Sequence, residues 1–205
     1  MKRSVQKGGI DMRIILATHN RGKVREFQKL AGDTGLIIEH PGDFLPEPEE
    51  TGDSFEDNAL LKARAAAGYT GQSAMADDSG LAVHALDGKP GIYSARWAGP
   101  EKDFQAAMKR VHDALGDVED RSAAFVAVLA LVLPDGTEIT QEGRVEGDIV
   151  WPPRGEGGFG YDAIFVPHGE RRTFAEMPAT DKQALSHRAG AWACLMTRLR
   201  DEGFL

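Results

Sequence analysis

The run from Ala123 to Leu133 is unbroken apolar sequence, and Pro134-Asp135-Gly136 follows it directly. A run of this length is that of a core strand, since a membrane span needs roughly 18 or more consecutive apolar residues and nothing in the chain approaches that. Pro-Asp-Gly is turn chemistry. It is expected to send a strand spanning Arg121–Leu133 back into a second one, Thr137–Val145, as a long central hairpin. Whatever else the chain forms must be arranged around that pair.

Upstream, Arg13–Thr18 reads as a strand and Arg21–Ala31 as a helix, with Val24, Phe27, Leu30 and Ala31 at near-helical spacing. Leu36–Glu39 is a short second strand. The loop after it, PGDFLPEPEETGD, holds Pro41, Pro46 and Pro48, which exclude regular structure. Asp53, with Glu56 three residues on, makes a capping-box-like start to a helix reaching about Ala67. Ser73–Ala76 and Leu81–Ala85 are extended on either side of Asp77-Asp78-Ser79-Gly80. Lys102–Leu115 is an amphipathic helix with Phe104, Met108, Val111 and Leu115 on one stripe. After the hairpin, a Gly/Pro-rich stretch, WPPRGEGGFG, precedes a strand at Asp162–Val166. A last helix runs from about Asp181 to Asp201 behind a Thr180 and Gln183 capping pair. Helices and strands alternate without a strict βαβ rhythm, so the expected fold is α/β, a mixed sheet flanked by helices. There is no internal repeat and no low-complexity segment.

With 205 residues, 41% of them hydrophobic and 27% charged, the chain can bury roughly 70% of its unfolded surface in one domain or two closely packed lobes. Its 32 acidic against 24 basic residues give a net charge of −8 and a pI near 5.3. That balance argues against a nucleic-acid backbone or an anionic membrane as a partner, so any bound anion needs a local site. Cys194 is the only cysteine and reads as core, among Ala193, Leu195 and Met196. A single thiol and no zinc-spaced Cys/His cluster point to a reducing compartment, with the cytoplasm as default. Residues 1–11 are basic, carry Gly-Gly and lack the apolar region of a secretory leader. They are expected to be a flexible extension to a single domain, 12–205; an alternative start at Met12 would look the same.

Five segments carry chemistry. Thr18-His19-Asn20-Arg21-Gly22-Lys23 sits where a strand becomes a helix, and a helix N-terminus offers free N–H groups and positive potential to an anion. Lys23 adds a point charge, and the Thr18 hydroxyl and Asn20 amide can donate to phosphate oxygens. An ordinary Asn cap with a solvated lysine would read the same, and no Walker P-loop is present. Asp77-Asp78 offers hard carboxylate ligands suited to magnesium, pointing in opposite directions if on a strand, although Asp-Ser-Gly is also common turn chemistry. Glu47, Glu49 and Glu50 nearby could complete a metal site or be solvated. Asn58 and Lys62 share a helix face with Phe55, so Lys62 projects either toward a ligand or into solvent. Gly155–Asp162 formally contains G-x-G-x-x-G, but no helix follows, so the dinucleotide reading fails. Its glycines are expected to allow close backbone approach and to leave Phe159 and Tyr161 free to stack on a planar group. Lys182, Ser186 and Arg188 could converge on an anion or a base edge, while neighbouring Ser186 and His187 diverge on a helix and form no catalytic triad.

Taken in order, ILATHNRGKVREF, ETGDSFEDNALLKARAAA, ADDSGLAVHALDGKPGIYSARWAG, GGFGYDAIFVP and ALSHRAGA resemble the inosine triphosphate pyrophosphatase family, in particular its bacterial members that remove non-standard purine nucleoside triphosphates. The resemblance covers nearly the whole chain from Met12. It implies an elongated mixed sheet in two lobes with a nucleotide-binding cleft between them. It implies Mg2+-dependent hydrolysis of ITP, dITP, XTP and dXTP to monophosphate and pyrophosphate, keeping them out of nucleic acid, by a homodimer. Carried onto this chain, Thr18, His19, Asn20, Arg21, Gly22 and Lys23 hold the triphosphate, with Lys62 near the phosphates. Asp78 is the general base and meets the metal, with Glu50 as the metal-associated glutamate. Ser79 contacts substrate, Phe159, Gly160, Tyr161 and Asp162 hold base and sugar, and Lys182, His187 and Arg188 complete the nucleobase pocket. The alternatives are a pyrophosphatase of other base preference, a phosphatase releasing orthophosphate, and a nucleotide sensor without catalysis.

Overall fold

The computed structural model describes residues 12–205 apart from 33, 41, 46 and 47; the expected extension 1–11, Pro41, Pro46 and the metal-site candidate Glu47 lie outside the described residues. The apolar run forms β4 (Ser122–Val132) inside a sheet of order β2-β1-β3-β4-β5-β6. Its neighbours are β3 (Ala74–Val83) and β5 (Glu138–Ile149), both antiparallel to it. On one side β1 (Met12–Leu16) runs parallel to β3 and to β2 (Leu36–Glu39); on the other, β6 (Phe165–Pro167) closes the sheet antiparallel to β5. The sheet is therefore mixed. β4 is buried along nearly its whole length because helices cover both faces.

Two apolar cores sit at opposite ends of the β3–β4 pair. At one end Met75, Leu129 and Leu131 pack with Phe27 of α1 (Arg21–Ala31) and with Trp192, Leu195 and Leu199 of α6 (His187–Asp201). At the other, Leu81, Val83 and Phe125 pack with Met108, Val111 and Leu115 of α4 (Phe104–Leu115) and with Phe165 and Phe174. The opposite face of the first end is covered by α2 (Phe55–Thr70), whose Ala59 and Ala63 lie on Ala76, Val128 and Ala130. Small residues on both partners let that helix approach closely. A one-turn helix, α3 (Ser94–Trp97), stands beside β3. Between the two cores, the β3 register from Asp77 opposite Leu129 to Gly80 opposite Val126 is the only polar stretch of that strand.

Several expected boundaries move. β1 ends at Leu16 rather than Thr18, and α2 is capped by Ser54, whose Oγ accepts the Asp57 N–H at 3.0 Å, instead of Asp53. β3 stops at Val83, and the expected strand at Asp162 opens with a short turn of helix, so β6 begins only at Phe165. The last helix is two: α5 (Ala179–Leu185) and α6, broken at Ser186, whose hydroxyl caps α6 by accepting the Ala189 N–H at 3.1 Å. α5 follows Pro178 and has no side-chain cap, so Thr180 and Gln183 do not form one. Cys194 is exposed, because the buried stripe of α6 is Ala191, Trp192, Leu195, Met196 and Leu199 and position 194 falls off it. Among the described residues no helix is long and apolar enough to cross a membrane.

Candidate active site

Strand alternation sends Asp77 and Asp78 to opposite faces of β3, and each meets cations from the helices on its own face. Asp77 pairs with Lys23 of α1 and with Arg188 Nε of α6 at 3.2 Å. Asp78 accepts from Lys62 Nζ of α2 at 2.8 Å, and the same ammonium donates to Glu50 Oε1 at 2.7 Å. Lys62 is buried because it belongs to the stripe Asn58, Ala59, Lys62, Ala63 and Ala66 that faces the sheet. The Asp pair therefore lies within a strand, not in a turn. Its turn-forming preference is overridden by ion pairs that only the tertiary structure supplies.

The two carboxylates have opposite electrostatics. Burial alone would push Asp77 up, but the Lys23 and Arg188 cations beside it hold it well below the usual carboxylate range. Burial prevails at Asp78 and raises its carboxyl above that range, with Lys62 pulling the other way. Burial likewise opposes the Lys62 charge, yet Asp78 and Glu50 outweigh it and raise its pKa. At Glu50 the Lys62 ammonium overcomes burial and lowers the carboxyl. Lys23 is lowered, burial outweighing its Asp77 partner. Asp78 Oδ2 is buried and has no hydrogen-bond partner among the described residues.

The turn from β1 into α1 is organised by Asn20, whose Oδ1 accepts the N–H groups of Gly22 at 2.8 Å and Lys23 at 3.4 Å. Its oxygen is thus spent on the helix cap, and only its amide N–H2 is offered as a donor. Thr18 Oγ1 accepts from the Asn20 N–H at 3.2 Å, and the Thr18 carbonyl is 2.7 Å from His40 Nε2. Arg21 is exposed at the start of α1. Thr18, His19, Asn20, Lys23, Glu50, Lys62, Asp77, Asp78 and Ser79 line a cleft of about 610 Å³, well within the range of small-ligand sites. Arg96 and Lys102 line it as well.

A second cluster adjoins the cleft. Lys182 Nζ donates to Asp162 Oδ2 at 2.6 Å, and the same oxygen accepts the Phe159 N–H at 2.7 Å. Arg188 donates to Ser79 Oγ at 2.7 Å and to Glu26 Oε2 at 3.1 Å, and Glu26 is 3.6 Å from Lys182. The Phe159 ring covers both cations, with Lys182 Nζ 4.5 Å and the Arg188 guanidinium 5.4 Å from its centroid, and it lies against Gly22 of α1. Gly22, Phe159 and Lys182 also border a smaller cavity of about 250 Å³.

Not every expected residue reaches this site. Tyr161 does not stand free to stack: it is buried, its ring edge-on to Phe104 and its hydroxyl donating to the Ser94 carbonyl at 2.8 Å. Gly160 takes a left-handed φ of 67°, and a Cβ there would lie 3.8 Å from the Phe104 ring. His187 is buried and stacked on Phe125 at 5.0 Å, its Nδ1 without a partner among the described residues, and burial holds its pKa well below the usual value. Ser186 is occupied as a helix cap. Three residues join the site that sequence reasoning did not single out. Glu26 lies three positions after Lys23 on one face of α1, which was a legible signal. Arg96 lies in a segment quoted only for its resemblance, and its Nη2 donates to the Glu50 carbonyl at 2.6 Å; Lys102 reads in sequence only as the start of the amphipathic helix.

Against known proteins, the Ham1 family profile matches residues 14–198. A dITP/XTP pyrophosphatase of Gluconobacter oxydans is 52% identical over 190 residues, covering 92% of this chain and 91% of that protein. A dITP/XTP pyrophosphatase of Caulobacter vibrioides is 52% identical over 191 residues, 92% of this chain and 98% of its own. Among solved structures, a HAM1 protein from Coxiella burnetii superposes with a TM-score of 0.85 at 40% identity, covering 93% of this chain and 99% of that one.

Proposed function

The chain belongs to the Ham1 family, and from that premise we propose that it hydrolyses non-standard purine nucleoside triphosphates, dITP and XTP with ITP and dXTP, to the monophosphate and pyrophosphate. Relatives named for that activity align over about nine-tenths of the chain, and the cleft supplies a chemistry for it. The observation that carries the catalytic reading is Asp78: a buried carboxylate, raised by burial, with one oxygen on Lys62 and the other without a partner among the described residues, beside a cleft lined by cations. A carboxylate so placed is suited to take a proton from an attacking water. Lys23, Lys62 and Arg96 oppose the roughly four negative charges of a triphosphate, which must be offset before water attacks the α-phosphorus.

Mg2+ fits the donor set. Glu50 and Asp78 are hard oxygen ligands meeting on one lysine, and the buried Asp78 Oδ2 is an unsatisfied acceptor among the described residues. Among the described residues no group of three or more such side chains converges, and Mg2+ requires none, because it is commonly held by one or two carboxylates plus substrate phosphates. When bound, Mg2+ offsets phosphate charge and acidifies water. Base selection falls to Arg188, whose guanidinium has N–H groups beyond those given to Asp77, Glu26 and Ser79. A donor aimed at a 6-keto oxygen is left facing an amino group by adenine, at a cost of about 1–3 kcal/mol. A homodimer acting in the cytoplasm, without nucleic-acid or membrane partners, completes the reading; it rests on the family resemblance and the acidic charge balance.

A panel of triphosphates tests the substrate class. ITP, dITP and XTP are expected to be cleaved with higher kcat/KM than ATP, GTP, dTTP and UTP. Faster cleavage of dTTP or UTP would assign the site to another base class.

A further inference from the structure

The loop that brings Glu50 to Lys62 is pinned at more than one point. On one side Arg96 holds the Glu50 carbonyl at 2.6 Å. On the other, Asn58 Oδ1 accepts the Gly52 N–H at 2.9 Å, two residues past Glu50 and one helical turn before Lys62. Asn58 is completely buried, yet its Nδ2 has no partner among the described residues. An amide kept in an alanine-lined helix face with half its hydrogen-bonding capacity unused is a cost that packing alone does not explain. The other end of the bond is equally constrained. A Cβ on Gly52 would stand 2.5 Å from Asp57 Cβ and 2.8 Å from Asn58 Oδ1, so only glycine lets the loop lie this close to α2.

We propose that Asn58 is a positioning residue for the metal-associated carboxylate: through Gly52 it fixes residues 49–52 against α2, so that Glu50 and Asp78 are presented together around Lys62. Asn58 itself touches neither metal nor substrate. The inference rests on the reading of Glu50 as a metal ligand and goes beyond it in naming what holds that ligand in place. Partners that orient a ligand from behind commonly cost 10–100-fold in metal affinity when removed.

The experiment titrates Mn2+ into the full chain saturated with the α,β-methylene analogue of ITP and reads the ternary complex by water-proton relaxation enhancement. The variants are Asn58→Ala, Gly52→Ala and Glu50→Gln, each with its thermal midpoint recorded. Asn58→Ala and Gly52→Ala, which break the same contact from opposite ends, are expected to weaken Mn2+ binding by about tenfold or more each. Their double variant should be little worse than either single one, since one bond is lost in all three. The Mg2+ concentration for half-maximal ITP hydrolysis should rise in step, with a smaller change in the nucleotide KM at saturating Mg2+. Wild-type Mn2+ affinity in folded Asn58→Ala and Gly52→Ala, with Glu50→Gln weakened, overturns the anchor alone. Wild-type affinity in Glu50→Gln overturns the Glu50 reading and the anchor with it. A lowered thermal midpoint with unchanged Mn2+ affinity would show Asn58 to be merely structural.

Discussion

At the scale of single residues, function is divided between adjacent aspartates by the faces they point to. Asp77, ionised and enclosed by Lys23 and Arg188, ties α1 and α6 to the sheet; Asp78, raised and with one oxygen unpartnered among the described residues, is left for chemistry. Replacing Asp77 by Asn leaves two buried cations short of a counter-charge, and breaking a buried pair in this way is expected to cost about 3–5 kcal/mol in a denaturant titration. Asp78→Asn is expected to bind the ITP analogue within a few-fold of wild type by calorimetry while kcat falls by roughly 100-fold or more, the scale of a lost general base. Retained turnover would remove Asp78 from that role. Since Asp78 must be ionised to act and burial raises its pKa, the rate should fall on the acid side with a midpoint above the ordinary carboxylate value of about 3.9. The log kcat/KM profile against pH checks the sign. Residues 18–23, 78 and 79 were legible as candidates because polar groups interrupt apolar runs at element ends or in a strand, and Lys62 because it shares a helix face with Asn58 and Phe55. Arg96 and Asn58's bond to Gly52 were not, since each acts through a partner distant in sequence; Glu26 was legible from its spacing to Lys23, but its pairing with Lys182 and Arg188 was not.

At the scale of elements, the hairpin β4–β5 and the helices α1, α2 and α4 follow from periodicity and turn residues. Where the expectation departed from the structure, a local preference was outweighed by a tertiary contact. β3 runs straight through Asp77-Asp78-Ser79-Gly80 because helices on both faces supply cations. The last helix breaks because Ser186 caps α6 afresh, which turns Arg188 toward Asp77 and Ser79. The docking of α6 on β5 gives a sharp test. A Cβ at Gly143 would lie 2.0 Å from the His187 carbonyl oxygen and 2.3 Å from the Ala191 nitrogen, all of it backbone. Gly143→Ala is therefore expected to displace α6, lowering stability by several kcal/mol at the upper end of single substitutions, about 4 or more. Gly68, inside α2 with nothing within 4 Å of where an added methyl would sit, is the control: Gly68→Ala should stabilise by about 0.5–1 kcal/mol. Thermal melts of the two variants side by side read both effects.

At the scale of the whole molecule, an acidic protein gathers cations between its two cores. Lys23, Lys62, Lys182 and Arg188 come from four helices, one more than an unbroken last helix would have provided, and each is paired with Asp77, Asp78, Asp162, Glu26 or Glu50. The general acidity argues against polyanions as partners, and the local ion pairs hold the cations in place. The network also sets the response to acid. His187, buried beside Arg188 and held neutral, favours folding above its ordinary value of 6.5, and that contribution is lost as the pH falls below it, where the unfolded chain binds a proton the folded chain refuses. Asp77 adds a contribution present above the ordinary carboxylate value and lost as the pH falls toward its own, lower one. The thermal midpoint is thus expected to fall between about pH 6.5 and 5, and His187→Gln should flatten that part of the curve. An equal slope in the variant would assign the acid sensitivity elsewhere.

The central claim is that this cleft cuts between the α- and β-phosphates of a non-standard purine nucleotide. The most direct measurement is orthophosphate release from ITP with Mg2+, with and without added inorganic pyrophosphatase. Orthophosphate is expected only when the helper enzyme is present, at two per ITP consumed, with IMP as the nucleotide product. Orthophosphate and IDP appearing without the helper would contradict it.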